Sequence, residues 1–194
     1  MRILKIAESN DITQDMEDWF VKRTNMHISL VQKWCKIIEN YDSEKFGGLI
    51  ERGNVHDESK LVEPERIPYI YVTWNYKCKE DGKKFNPPKD IDDMMNNATF
   101  HHVKNNAHHP ESHTEQTKDI LNRKDRDKPP KEMVDATKMK DLDIGEMVAD
   151  WMAMSNEKKT SPKDWADKNV NIRWKFTDAQ KKLIYNLIED LWYQ

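Results

Sequence analysis

The sequence predicts an all-α chain: a helical bundle in a single domain, with extra helices at the C-terminus. Three observations carry that expectation. There are only five glycines in 194 residues. Apolar residues recur at intervals of three and four along several segments. No run of strictly alternating apolar and polar residues is long enough to read as a strand.

The first long helix should span 13–41. Thr13 is suited to cap it, and Asp15, Glu17 and Asp18 sit where the positive end of the helix dipole favours acids. Met16, Trp19, Phe20, Leu30, Val31, Trp34, Ile37, Ile38 and Tyr41 recur at helical spacing. His27 lies on that stripe, seven residues from Phe20 and seven from Trp34, and so should point inward. Gly47-Gly48 and Gly53-Asn54 bracket a short segment, and Val55 to Leu61 follows, closed by Pro64. The stretch Ile67–Trp74 has β-like composition, but it also fits a buried helix begun by Pro68, which is the reading preferred here. After Pro87-Pro88, a helix is expected over 90–106, stopped by Pro110 just past His109. Residues 111–131 are polar and read either as a functional lid or as a solvated loop. Asp143 to Ser155 should be helical. Ser161-Pro162 begins a short helix, and Thr177-Asp178-Ala179-Gln180 has capping-box form and opens the last one. This divides the chain into a helical domain over 1–155 and accessory helices over 156–194 packed on the same domain.

Composition narrows the function classes. Hydrophobic residues make up 37% and charged residues 35%, with seven Trp and ten Met adding apolar volume. The formal net charge of −3 gives no reason to expect a long nucleic acid or an anionic membrane as partner. Cys35 and Cys78 are far apart and form no CxxC pattern, so a reducing, cytoplasmic location is the simpler expectation. The first residues lack the apolar core of a signal peptide, and no segment reaches the ~18 apolar residues of a membrane span.

The histidines are unevenly placed. Five of seven fall at His101, His102, His108, His109 and His113; the others are His27 and His56, the latter followed by Asp57. Imidazole and carboxylate together suit Mn, Fe, Co, Ni or Zn. On a continuous helix, His102, Asn106 and His109 would share one face, and His101, Asn105 and His108 the neighbouring one. Each feature has an ordinary explanation when taken singly. An inward histidine is usually a hydrogen-bonded core residue, an HD dipeptide arises by chance, and Asp150 alone is a common helix carboxylate. The signal is the ordered combination.

That order, His27, then His56-Asp57, then Asp150, resembles the HD-domain metal-dependent phosphohydrolase superfamily, as does the HDxxK form of His56-Asp57-Glu58-Ser59-Lys60. Three motifs resemble more closely an uncharacterised branch of that superfamily common in phages and large viruses. They are HDxSK at 56–60, HxxxNxHHPE at 102–111 and ExxxDW at 146–151. The resemblance covers about residues 20–155. It implies an HD-domain-like bundle in which His27, His56, Asp57 and Asp150 hold one divalent ion. Asp57 would bridge to a second ion held by His102 and His108 or His109. It further implies that Lys60 holds a substrate phosphate or a carboxylate, with Asn106 and Lys104 as further substrate-binding candidates, and that Glu58 or Glu146 transfers protons. The activity implied is hydrolysis of a phosphate ester, most plausibly a nucleotide, by water activated on the metal. Two other classes stay open: an HD-fold di-iron oxygenase, and a non-enzymatic helical binding protein, such as a viral factor that engages a host protein or sequesters a nucleotide.

Overall fold

A computed structural model describes residues 12–115 and 132–193. Eight α-helices carry most of the described chain: α1 (Gln14–Tyr41), α2 (Ser43–Phe46), α3 (Leu49–Asn54), α4 (Arg66–Glu80), α5 (Ile91–Asn105), α6 (Asp141–Lys158), α7 (Pro162–Asn169) and α8 (Asp178–Trp192). The only strands among the described residues are β1 (Val134–Asp135) and β2 (Trp174–Lys175), two residues each and parallel. The expected all-α class is therefore what the chain adopts. The segment 116–131, which takes in most of the polar stretch read above as lid or loop, lies outside the described residues, as does the N-terminal segment 1–11.

The helix starts follow their capping chemistry. Thr13 Oγ1 accepts from Met16 N at the start of α1. Ser161 Oγ accepts from the backbone N–H groups of Lys163 and Asp164 at α7. Thr177 and Gln180 form the reciprocal box of α8. Each satisfies N–H groups that a helix start leaves without partners. The ambiguous run at 67–74 is the first half of α4, with Pro68 in its opening turn, where a proline costs no hydrogen bond.

The centre of the molecule is α6. Eleven of its eighteen residues are buried, including Asp143, Glu146 and Ser155 as well as the apolar ones. A helix covered on most sides sits between layers rather than at the surface. It packs against α1 on one side and α8 on another. One apolar cluster runs through Val31, Trp34 and Ile38 of α1, Met147, Trp151 and Met152 of α6, and Ile184, Leu187 and Ile188 of α8. The C-terminal helices thus share the main core instead of lying on it as a separate layer. A second cluster joins Met16 and Phe20 of α1 to Ile70 and Tyr71 of α4 and Met95 of α5.

Two glycines permit the close approaches that bring the site together. A Cβ on Gly53 would lie 3.1 Å from Cys35 Sγ, so its absence lets the end of α3 press on α1. A Cβ on Gly145 would lie 2.9 Å from Phe46 Cδ1 and 3.2 Å from Leu49 Cδ2, both fully buried side chains. Gly145→Val should therefore destabilise the protein by about 1–3 kcal/mol, the usual cost of overpacking. Urea unfolding checks this, and an unchanged midpoint would contradict the packing described.

Candidate metal centre

The centre forms where four segments meet: the middle of α1, the turn after α3, the region around the end of α5, and α6. His27 faces inward from α1, as its place on the apolar stripe requires. Asp57 stands between helical segments with φ 59° and ψ 12°, the left-handed region that costs a residue with a side chain about 1 kcal/mol or more. This conformation sets His56 and Asp57 side by side toward the interior, and both are buried. Glu58 follows on the exposed side and does not reach the centre.

The helix α5 matches the expected span to within a residue at each end, but the reading of its histidines as sharing helical faces needs correcting. The helix stops at Asn105, and Asn106 and His109 adopt extended backbone, as the residue before Pro110 is sterically driven to do. His102 is on the last turn of α5, whereas His108 and His109 come from the turn beyond it. The chain reversal brings together histidines that a continuous helix would have put on two different faces. The rings of His102, His108 and His109 lie with centroids 4.2–6.0 Å apart. His101 instead turns to Glu65 and is half-buried, and His113 bonds the carbonyl of Ala107.

Two donor groups result, and Asp57 stands between them. Its Oδ2 lies 3.7 Å from His27 Nε2 and 3.6 Å from His56 Nε2. Its Oδ1 lies 3.2 Å from His102 Nε2 and 3.7 Å from His108 Nε2. Asp150 Oδ1 adds a carboxylate 3.1 Å from His27 Nε2. Donors sharing an ion at bonds of ~2.0–2.2 Å are separated by about 3.0–3.4 Å, close to what is found here. One carboxylate with each oxygen turned to a different imidazole set is the arrangement of a bridging ligand.

The outward ring nitrogens are held by carboxylates. His27 Nδ1 donates to Glu157 Oε1 at 2.6 Å, His56 Nδ1 to Glu146 Oε1 at 2.8 Å, and His102 Nδ1 to Glu65 Oε2 at 2.8 Å. Bonds of this kind fix each ring and aim Nε2 inward, where the neutral ring presents a lone pair. The lone pair of a neutral ring opposite a carboxylate oxygen is repulsive unless a cation or a proton lies between them. Accordingly, His56 Nε2, His102 Nε2, His109 Nε2 and Asp57 Oδ1 are buried and make no hydrogen bond. Leaving a buried polar atom so costs about 1–3 kcal/mol, and four converging on one place fit a pair of divalent ions.

Protonation follows the same logic. Burial pushes the His27 imidazolium down, but hydrogen bonds with Asp150 and Glu157 outweigh it and raise the pKa to about 9. His102 is likewise raised against burial, by Asp57 and Glu65. Asp57 is held well below the usual carboxylate range, burial being overcome by Lys60, His56 and His102. Burial and the neighbouring imidazoles push His108 and His109 down, so both are neutral at pH 7 and ready to donate lone pairs.

The remaining candidates separate clearly. Lys60 Nζ bonds Asp57 Oδ2 and lies over the Tyr69 ring at 5.4 Å. Its side chain is 22% exposed and that of Asp150 18%, so this edge is where the centre meets solvent. Asn106 adjoins the centre, but its amide donates to Ser59 Oγ and the His102 carbonyl. Lys104 is turned to the carbonyls of Glu111 and Thr114, where it fastens α5 to the following turn. Glu146 is no free proton carrier, being bonded to His56, His108 and Arg52. Sequence reasoning missed Glu65, Glu157 and Arg52. For Glu157 a signal existed: Asp143, Glu146, Asp150 and Glu157 follow one another at intervals of three, four and seven, one face of a helix whose residues from 144 to 154 are otherwise apolar.

A protein-family model described as "Family of unknown function (DUF5662)" matches residues 16–190. The chain belongs to this family. The match takes in every residue of the centre from His27 to Glu157 and continues through α7 and most of α8. The DUF5662 region thus covers the shared core as well as the site. No curated protein and no solved structure matches the chain.

Binding at this centre should stabilise the fold, because unfolding scatters the ligands. At an ion concentration 100 times Kd the gain is about 2.7 kcal/mol per site. A higher melting temperature with Mn²⁺, Co²⁺ or Zn²⁺ than with a chelator is the expected result, and identical melting would contradict it.

Proposed function

We propose that this protein is an HD-domain-like, metal-dependent phosphohydrolase that acts in the cytoplasm on a small phosphate ester of the nucleotide class. The observation that carries this reading is Asp57, whose two oxygens face separate sets of buried imidazoles beside a lysine at the solvent edge. A divalent ion held by these residues would supply Lewis acidity and lower the pKa of a water toward about 7. The chain's own residues do the rest. His27, His56, Asp57 and Asp150 fix one ion position, and Asp57 with His102, His108 and His109 fixes the other. Lys60, kept protonated by Asp57 in spite of burial, offers a fixed positive charge to phosphoryl oxygens arriving along the open edge. Its charge stabilises the transition state as negative charge develops on the leaving group. At that edge the Lys60 charge stands beside the Asp150 carboxylate, which suits a compact phosphate better than a polyanion.

The test is phosphate release from a panel of nucleotides and simple phosphomonoesters and diesters, using protein loaded in turn with Mn²⁺, Fe²⁺, Co²⁺, Ni²⁺ or Zn²⁺. Turnover with at least one ion is expected, and none with any of them would sink the reading. The three-imidazole position also suits Fe²⁺. Oxygen uptake is therefore followed in the same screen, and uptake without phosphate release would favour an oxygenase. Lys60→Met should lower kcat/KM by about 100-fold, the scale of losing one transition-state donor, with metal content unchanged. An activity loss accompanied by metal loss would show that Lys60 acts on the ligands instead.

A further inference from the structure

Three carboxylates outside the donor groups hold the imidazoles by Nδ1, and their assignments differ. Glu157 accepts from His27 and so serves the Asp150 position. Glu65 accepts from His102, and also from His101 and Ser59, and so serves the three-imidazole position. Glu146 serves both. Its Oε1 lies 2.8 Å from His56 Nδ1 and 3.2 Å from His108 Nδ1, one histidine from each position. Its Oε2 accepts from Arg52 Nε at 2.7 Å and lies 2.6 Å from Nη2, while Arg52 Nη1 donates to Asp143 Oδ1 at 2.6 Å.

We propose that Glu146, clamped by Arg52, is a positioning residue common to both metal positions and links their occupancy. The inference rests on the paired metal positions of the proposed function, but not on hydrolysis. The physical basis is the sharing of one oxygen. An imidazole ligates through Nε2 only when its proton is on Nδ1 and the ring is aimed. A single acceptor satisfying two rings means that neither turns without disturbing the other. The guanidinium fork is rigid and occupies the second carboxylate oxygen, so Glu146 cannot swing to favour one ring. An ion taken up at His56 therefore fixes that ring against the shared Glu146 oxygen, which holds His108 in register, and the second ion binds to a site already arranged. Such linkage is reciprocal.

The mutational signature is a pattern across three carboxylates. Glu146→Gln is disruptive for a definite reason. The carboxamide must turn its NH₂ either to the Arg52 donors or to the two imidazole N–H groups, and one set of bonds is lost either way. Glu146→Asp keeps the charge opposite Arg52 and draws the oxygens back from both rings, so it serves if the glutamine variant does not fold. Co²⁺ is titrated into metal-free protein by calorimetry against a competing chelator, with circular dichroism confirming the fold. Wild type should take two equivalents. Glu146→Gln and Glu146→Asp should weaken both by about 10–100-fold, the usual cost of losing such a partner. Glu157→Gln should weaken one equivalent and Glu65→Gln the other. A Glu146 variant that weakens one equivalent only, or neither, overturns the proposal. So does a wild type that takes a single equivalent, or a third equivalent held by His56, His108 and Glu146 themselves, whose donor atoms also lie within 4.8 Å of one another. If the two-position pattern appears and no phosphate ester is cleaved, the hydrolase reading fails and this one stands.

Discussion

Asp57→Asn should empty both metal positions at once, and with them the proposed hydrolysis, while the protein stays folded. Asparagine keeps the size of the side chain and tolerates the left-handed backbone that Asp57 adopts at φ 59°. What it loses is one anionic oxygen, and the amide nitrogen that replaces it repels a cation. Because Oδ1 and Oδ2 face different imidazole sets, whichever way the amide turns one position meets an NH₂ and the other a neutral carbonyl. Loss of an outer hydrogen-bond partner alone costs about 10–100-fold in metal affinity, so loss of the bridging ligand should exceed about 100-fold at each position. Metal analysis after gel filtration, phosphate release and circular dichroism together check it. A variant that retains two ions and its activity would show that Asp57 is not the bridge.

Metal uptake should rise steeply with pH. His27 has its pKa raised to about 9 in the folded, metal-free protein, against an ordinary 6.5. A proton there stabilises the empty fold fully below pH 6.5, and that contribution fades as the pH climbs through about 9. An ion needs the neutral ring, so between these limits each ion bound at His27 displaces one proton. Apparent affinity should then rise about tenfold per pH unit, roughly 150-fold from pH 6.5 to 9, where half the rings are neutral, and level off above it. The raised pKa of His102 acts in the same direction at the other position. Calorimetry in buffers of differing ionisation enthalpy counts the protons released. Affinity independent of pH, with no proton release, would exclude His27 as a ligand.

Much of this arrangement was legible in the sequence because it depends on local periodicity and capping. The apolar stripe of α1 put His27 inward, and the capping residues Thr13, Ser161 and Thr177 marked helix starts to the residue. The order of His27, His56-Asp57 and Asp150 named four residues that the fold brings together. What stayed hidden depends on chain reversal and long-range pairing. Helical spacing divides His102 and His109 from His108, and only the extended backbone before Pro110 makes the three converge. Glu65, 37 residues from His102, and Glu157, 130 residues from His27, act across the fold, where no spacing rule reaches. Lys104 and Glu58 illustrate the opposite error. Both belong to recognisable motifs, yet one ties down backbone carbonyls and the other faces outward.

Two divalent ions should lie on either side of the Asp57 carboxylate. Anomalous diffraction from crystals of the reconstituted protein, collected at the absorption edge of Mn, Co or Zn, tests it most directly. Two anomalous peaks are expected, one among His27, His56, Asp57 and Asp150 and one among Asp57, His102, His108 and His109. No peak at either place, or ions bound only at the surface, would contradict it.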